Sequence, residues 1–184
     1  RGCIPSKTVL HSTQLSLDHS PFAIFSGANK IDLPVLRERT EKITASLSRG
    51  IVASLKKNGV EFFQATAKIL PKRGPLFTVQ AGENALLGNK LLIATGTIER
   101  PLTVEGIDTA TMTSVDTLLK TSVAPRSLLI VGAGAIGLEF ATIFARCGTT
   151  VTLVEKEDRI APQLDPDISR VLQSSLEQER VEIF

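Results

Sequence analysis

Tryptophan and tyrosine are absent from this chain of 184 residues, which has one methionine and two cysteines. Without indoles or phenols the polypeptide is nearly transparent in the near ultraviolet, so a bound chromophore would dominate its spectrum. The two cysteines, Cys3 and Cys147, lie far apart and form no disulfide framework, which makes a reducing compartment the default expectation. No apolar run approaches the ~20 residues of a membrane span, and no signal peptide opens the chain. Basic and acidic residues are interspersed at a net charge of +2, without the basic stripe and interleaved aromatics of a nucleic-acid binder. His11 and His19 are the only histidines. Neither has a partner at useful spacing, so a histidine-based nucleophile or metal site is not expected. There is no internal repeat and no low-complexity segment.

What is present is an ordinary hydrophobic content of 42%, arranged in recognisable elements. Pro5 suits a first helical turn, where its missing N–H is not needed, and a helix is expected from about Pro5 to Leu17. Pro21 to Asn29 reads as a loop. Asp32 is a good N-cap with Pro34 just inside. Leu36, Ile43, Leu47, Ile51 and Leu55 then mark one face of a long amphipathic helix that ends at Asn58-Gly59. Val60 to Leu70 is rich in β-formers. Pro71 to Pro75 is turn chemistry, and Leu76 to Gln80 returns as a strand. Leu91 to Ala94 reads as a buried strand closed by Thr95-Gly96. The stretch from Glu99 to Arg126, with Pro101, Gly106 and Pro125, is mixed, and a domain boundary is expected there.

The last third has a different order. Ser127–Val131 is an apolar strand, and Gly132-Ala133-Gly134-Ala135-Ile136-Gly137 is a glycine turn. Ala135 to Cys147 is a helix stopped by Gly148. Thr150 to Glu155 is a second strand. Asp165-Pro166 caps a helix with Ile168, Val171, Leu172 and Leu176 on one face, and Val181 to Phe184 starts a third strand. This β-α-β-α-β order predicts an α/β fold, the first half of a doubly wound parallel sheet.

Gly132, Gly134 and Gly137 form G-x-G-x-x-G between a strand and a helix, and Glu155 ends the next strand near the ~20-residue spacing of a ribose-binding acid. Gly132 permits the tight turn, Gly134 leaves room for a pyrophosphate, and Gly137 lets helix and strand pack closely. The helix start offers unpaired N–H groups to phosphates. Glu155 would accept the ribose hydroxyls and repel a 2′-phosphate, which favours NAD over NADP; adjacent Lys156 tempers that preference. The competing view is a glycine-rich turn with no ligand and an exposed glutamate at a strand end.

In the string Gly2-Cys3-Ile4-Pro5-Ser6-Lys7, Cys3 lies just before the start of the first helix. The positive end of a helix is a setting for a reactive thiol, whereas a lone cysteine is more often inert. Cys147 reads as structural. Lys7 is one turn from Cys3 on the same side. Glu139 follows the glycine motif in what reads as the first turn of its helix, where the dipole favours a carboxylate.

The string from Gly2 to Lys7, followed in order by Ala94-Thr95-Gly96 and by Gly132 to Glu139, resembles the flavin- and pyridine-nucleotide-dependent disulfide oxidoreductases over essentially the whole chain. Within that family Cys-Ile-Pro-Ser-Lys and Gly-Ala-Ile-Gly-Leu-Glu-Phe-Ala are most similar to the dihydrolipoamide dehydrogenases. The resemblance implies FAD and NAD as cofactors and parts of two Rossmann-like domains. Residues 1–98 would belong to an FAD-binding domain and 99–184 to an NAD-binding domain, with its core from 127. Cys3 would be the second cysteine of a redox pair, the one beside the flavin. Lys7 and Glu139 would pair near the flavin, and Thr95, Gly96 and Thr97 would lie against FAD. Family members often carry Gly before the Thr-Ala pair that is here Thr66-Ala67; Ala65 stands at that backbone contact.

By the same resemblance, the chain opens inside its own active-site motif, without the first cysteine five positions earlier. It would be an internal piece of a larger homodimer, lacking the first FAD glycine motif and the C-terminal interface domain. The electron donor implied is dihydrolipoamide, carried on an acyltransferase of a 2-oxoacid dehydrogenase complex. The compartment implied is the cytoplasm, or the mitochondrial matrix in a eukaryote. The piece by itself is expected to be inactive. A mercuric reductase or another NAD(P)H–flavin reductase, and an inactive nucleotide-binding module, remain alternatives.

Overall fold

Short polar side chains start three of the helices. Asp32 Oδ1 accepts the backbone N–H of Val35 at 3.0 Å, Ser114 Oγ that of Thr117 at 3.1 Å, and Asp165 Oδ1 that of Asp167 at 3.0 Å, each satisfying a donor that the helix cannot. The structure, a computed structural model, describes residues 2–17, 25–26, 30–72, 74–99, 102 and 104–184. Helix α1 spans Cys3–Leu17. Strands β1 (Phe25–Ser26) and β2 (Lys30–Ile31) pair antiparallel. Helix α2 spans Leu33–Lys57. Strands β3 (Ala67–Ile69), β4 (Phe77–Ala81) and β5 (Asn84–Gly88) follow. After a 3-10 turn at Thr109–Thr111 come α3 (Val115–Leu118), β6 (Ser127–Val131), α4 (Ala135–Arg146), β7 (Thr150–Val154), α5 (Pro166–Gln178) and β8 (Glu182–Ile183). The loop expected over 21–29 lies outside the described residues apart from Phe25–Ser26, as do His19 and Pro101.

Contacts divide the chain into two compact units, Arg1–Ser46 with Thr113–Phe184, and Leu47–Met112. In the first unit β6, β7 and β8 form a parallel sheet in that order. Register runs Ser127↔Thr150 to Val131↔Val154, then Thr152↔Glu182. This is the expected half of a doubly wound sheet. Its core joins Val151 and Leu153 of β7 to Phe140, Ile143 and Phe144 of α4, with Val9 and Leu36 in the same cluster. The rings of Phe140 and Phe144 stack at 6.2 Å. The other face of β6 is open, with Leu129 and Val131 exposed.

In the second unit β3, β4 and β5 form an antiparallel sheet. The β4–β5 hairpin turns on Gly82-Glu83, with Gly82 at φ +61 and Ala81 opposite Asn84. Left-handed Gly at the first turn position is what a two-residue hairpin loop demands. This hairpin was not anticipated from sequence, although its glycine signal was available.

Other elements differ from expectation. Helix α1 begins at Cys3 rather than Pro5, because Ser6 N–H already bonds Gly2 O at 3.2 Å. Of the β-rich stretch 60–70 only Ala67–Ile69 pairs. Leu91 to Ala94 forms no strand, and Leu92 and Ile93 are exposed. No strand pairs with this stretch among the described residues, and an extended segment without a ladder partner has no reason to be buried. On α2, Leu36 is buried but Leu47 and Ile51 are exposed. On α5, Leu176 and Ser169 face inward while Ile168 and Val171 face out, so the inward stripe is narrower than the apolar residues suggest.

Candidate active site

Gly132 ends β6 at φ +102, a left-handed backbone that costs an L side chain and suits glycine. Its N–H bonds Val154 O at 2.7 Å, which holds the turn against the end of β7. Gly137 is required by contact. A Cβ there would stand 2.0 Å from Gly132 O and 3.1 Å from its carbon, so α4 could not pack on its own entry turn. Gly134 is different. It is the extended N-cap of α4 with no side-chain cap bond, and a Cβ there would meet nothing within 4 Å. The space beside it is open, and Ala135 and Ile136 start the helix with first-turn N–H groups that the helix leaves unused. A pyrophosphate fits this arrangement by charge and by room.

Glu155 follows β7. Its Oε2 accepts the N–H of Ala133 at 2.6 Å, and Oε1 accepts those of Lys156 at 2.9 Å and Glu157 at 3.3 Å. These bonds, that to Ala133 foremost, hold the carboxyl below its ordinary value despite an opposing effect of burial. The group is ionised at neutral pH and stands at the rim of the turn.

Cys3 is the first residue of α1 and is exposed. Lys7, one turn on, forms an ion pair with Glu139 of α4. Helix α1 thus joins α4 both by packing and by charge. Glu139 is the fifth residue of α4, and no acidic residue occupies the first turn. Its companion is therefore the Lys7 ammonium rather than the helix dipole. Cys147 caps the C-terminus of α4, where burial pushes its thiol up to about 12, and it packs partly buried against the core cluster.

In the second unit Ala65, Thr95, Gly96 and Thr97 are exposed and outside regular structure. Gly96 takes φ +78, and Ala65 Cβ faces the turn at Gly82, 3.6 Å from where a Cβ would stand. The structure brings together Lys7 with Glu139 and Ala133 with Glu155, all within the first unit.

One participant was missed from the sequence. Ala161 takes a left-handed φ of +46 and donates its N–H to Ala133 O at 2.9 Å. Alanine gives no sequence signal for that conformation, so only the fold exposes it. No metal-holding group of histidine, cysteine and acidic residues occurs among the described residues, and no described helix is long and apolar enough to cross a membrane.

Comparison with known proteins gives the family. The profile of the pyridine nucleotide-disulphide oxidoreductases matches residues 1–184. Dihydrolipoyl dehydrogenase of Bacillus subtilis is 33% identical over 187 residues, covering 99% of this chain and 41% of that protein. Mercuric reductase of Bacillus cereus is 26% identical over 186 residues, covering 99% of this chain and 29% of that protein. The crystal structure of LpdA from Mycobacterium tuberculosis superposes with a TM-score of 0.79 at 28% identity, covering 100% of this chain and 41% of that one. The chain therefore spans less than half the length of the relatives it matches. On the match along its whole length, the chain belongs to the pyridine nucleotide-disulphide oxidoreductase family.

Proposed function

We propose that the chain is part of a flavin-dependent disulfide oxidoreductase that moves electrons from dihydrolipoamide, through a cysteine pair that includes Cys3, to FAD and then NAD. Members of the family of the dihydrolipoyl dehydrogenase type use FAD and NAD(H). The observation that carries the reading is the Lys7–Glu139 ion pair. It ties the helix that begins with the cysteine motif to the helix that begins with the glycine turn, so the two chemistries share one frame.

In this reading a substrate thiolate attacks the disulfide of the cysteine pair, and the S–S bond breaks as a mixed disulfide forms. The second substrate thiol displaces it, which releases lipoamide and leaves the enzyme pair as a dithiol. Bound FAD supplies a two-electron carrier between that dithiol and NAD⁺. Cys3, at the start of α1, is the thiol of the pair beside the flavin, and the other cysteine of the pair is the one that exchanges with substrate. Lys7 holds a positive charge one turn away, and Glu139 fixes its ammonium. Gly134 leaves room for the pyrophosphate, and Ala133, Ala135, Ile136 and Gly137 complete the turn. Glu155 accepts ribose hydroxyls and disfavours a 2′-phosphate. Ala65, Thr95, Gly96 and Thr97 are assigned to FAD. The boundary between the FAD and NAD parts is placed at 98/99.

The parent protein is read as a homodimer in the cytoplasm or mitochondrial matrix, served by dihydrolipoamide on an acyltransferase of a 2-oxoacid dehydrogenase complex. The 184-residue chain alone is read as inactive. The test is dihydrolipoamide-dependent reduction of NAD⁺ by the full-length protein, with Cys3→Ser abolishing it and the 184-residue chain showing none. Turnover by the isolated chain, or by Cys3→Ser, sinks the corresponding claim. The likeness to a mercuric reductase favours one second reading, which Hg(II)-dependent NADPH oxidation by the same protein would reveal.

A further inference from the structure

Ala133 is fully buried, and both of its backbone polar groups are held by one short segment. Its N–H is donated to Glu155 Oε2 at 2.6 Å. Its carbonyl accepts the N–H of Ala161 at 2.9 Å. Ala161 is in turn anchored: Leu164 N–H bonds its carbonyl at 2.9 Å, and buried Ser169 of α5 donates its hydroxyl to the same oxygen at 3.4 Å. A left-handed, non-glycine residue persists only where its surroundings over-determine it, and here three hydrogen bonds converge on it.

We propose that Glu155 and Ala161 form a clamp that sets the orientation of the Ala133 peptides in the glycine turn, so that Glu155 shapes the turn as well as meeting a ribose. The inference deepens the NAD reading and rests on it for its functional consequence. A turn with its Ala133 carbonyl pinned inward keeps that oxygen away from phosphate. Releasing the clamp lets the peptide rotate and present a carbonyl where a donor is needed. Cofactor preference therefore cannot be exchanged at residue 155 alone, because the substitution that removes repulsion of a 2′-phosphate also loosens the turn. Ala161 is a positioning residue and touches no cofactor in this scheme.

The experiment uses the full-length protein and two readouts: amide hydrogen exchange across residues 132–134, and equilibrium binding of NAD⁺ and NADP⁺. Glu155→Ala should speed exchange of the Ala133 amide by about tenfold, the order expected on losing one hydrogen bond. It should also weaken NAD⁺ without improving NADP⁺. Ala161→Val, which disfavours the left-handed backbone, should raise the NAD⁺ dissociation constant by about tenfold at unchanged flavin content. Ala161→Gly, which accepts that backbone, should restore it. An Ala133 amide that exchanges freely in the wild-type protein overturns the clamp. So does Glu155→Ala gaining NADP⁺ affinity, or Ala161→Val binding NAD⁺ as the wild type does. A protected Ala133 amide in a wild-type protein that fails to bind NAD⁺ would instead remove the nucleotide reading and leave the clamp standing.

Discussion

The two compact units use similar apolar sequences to different ends. In the first, Leu153 of β7 is 0% exposed and Val151 is 1% exposed, because α4 lies over one face of the parallel sheet. In the second, Leu92 is 89% exposed and Ile93 is 64% exposed, and neither belongs to a strand. Both stretches look like buried strands when read alone. Burial is decided by whether another layer covers the residue, and a backbone ladder by whether a partner strand is beside it.

Substitution should sharpen that contrast. Leu153→Ala is expected to cost about 2–5 kcal/mol by leaving a cavity in a packed core. Leu92→Ala should stay within about 0.5 kcal/mol, as exposed positions do. Equal denaturant midpoints for the two variants would break the comparison between units. Within the first unit, Gly137→Ala should cost about 1–3 kcal/mol through overpacking, since its Cβ meets backbone that cannot yield. Gly134→Ala should leave the melting temperature near that of the parent and weaken NAD⁺ binding instead. A Gly134→Ala protein that melts early and binds normally would reverse the roles assigned to the two glycines.

The Lys7–Glu139 pair is half open to solvent, with 58% and 22% side-chain exposure. Lys7→Met should therefore change stability by no more than about 1 kcal/mol, and its effect on thiol chemistry should exceed its effect on folding. The smallest effect concerns pH. Glu155 has its folded value depressed below 4.5. Its contribution to stability is thus fully present above that ordinary value and is lost as pH falls through the depressed one. The difference in urea midpoint between wild type and Glu155→Gln should be constant near neutrality and shrink on acidification. A gap that widens below pH 4.5 would contradict the sign.

Much of the first unit was legible in the sequence because its signals are local. Asp32 and Asp165 cap where their side chains predict, and Gly132 and Gly148 sit where a left-handed turn is needed. The β-α-β-α-β order follows from apolar runs separated by those punctuation marks. The second unit was less legible. The hairpin at Gly82-Glu83 is signalled by a single glycine, and the β-rich residues 60–66 and 91–94 form no ladder. Helix α5 shows the same gap on a smaller scale: Ile168 and Val171 carry the right periodicity but face outward, while Ser169 lies inside.

By itself the sequence determined where α2, α4 and α5 begin, where α2 and α4 stop, and which glycines the turn requires. These depend on bonds between neighbours a few residues apart. Only the tertiary structure decided that Glu155 holds Ala133 and that Ala161 adopts a left-handed backbone to do the same from the other side; the Lys7–Glu139 pair, across 132 residues, was implied by family resemblance and by no local signal. Such contacts join residues whose own propensities are silent about each other. They exist because packing of α1, α4 and the β7–α5 loop brings donors and acceptors within bonding distance, and buried polar groups must then be satisfied where they lie.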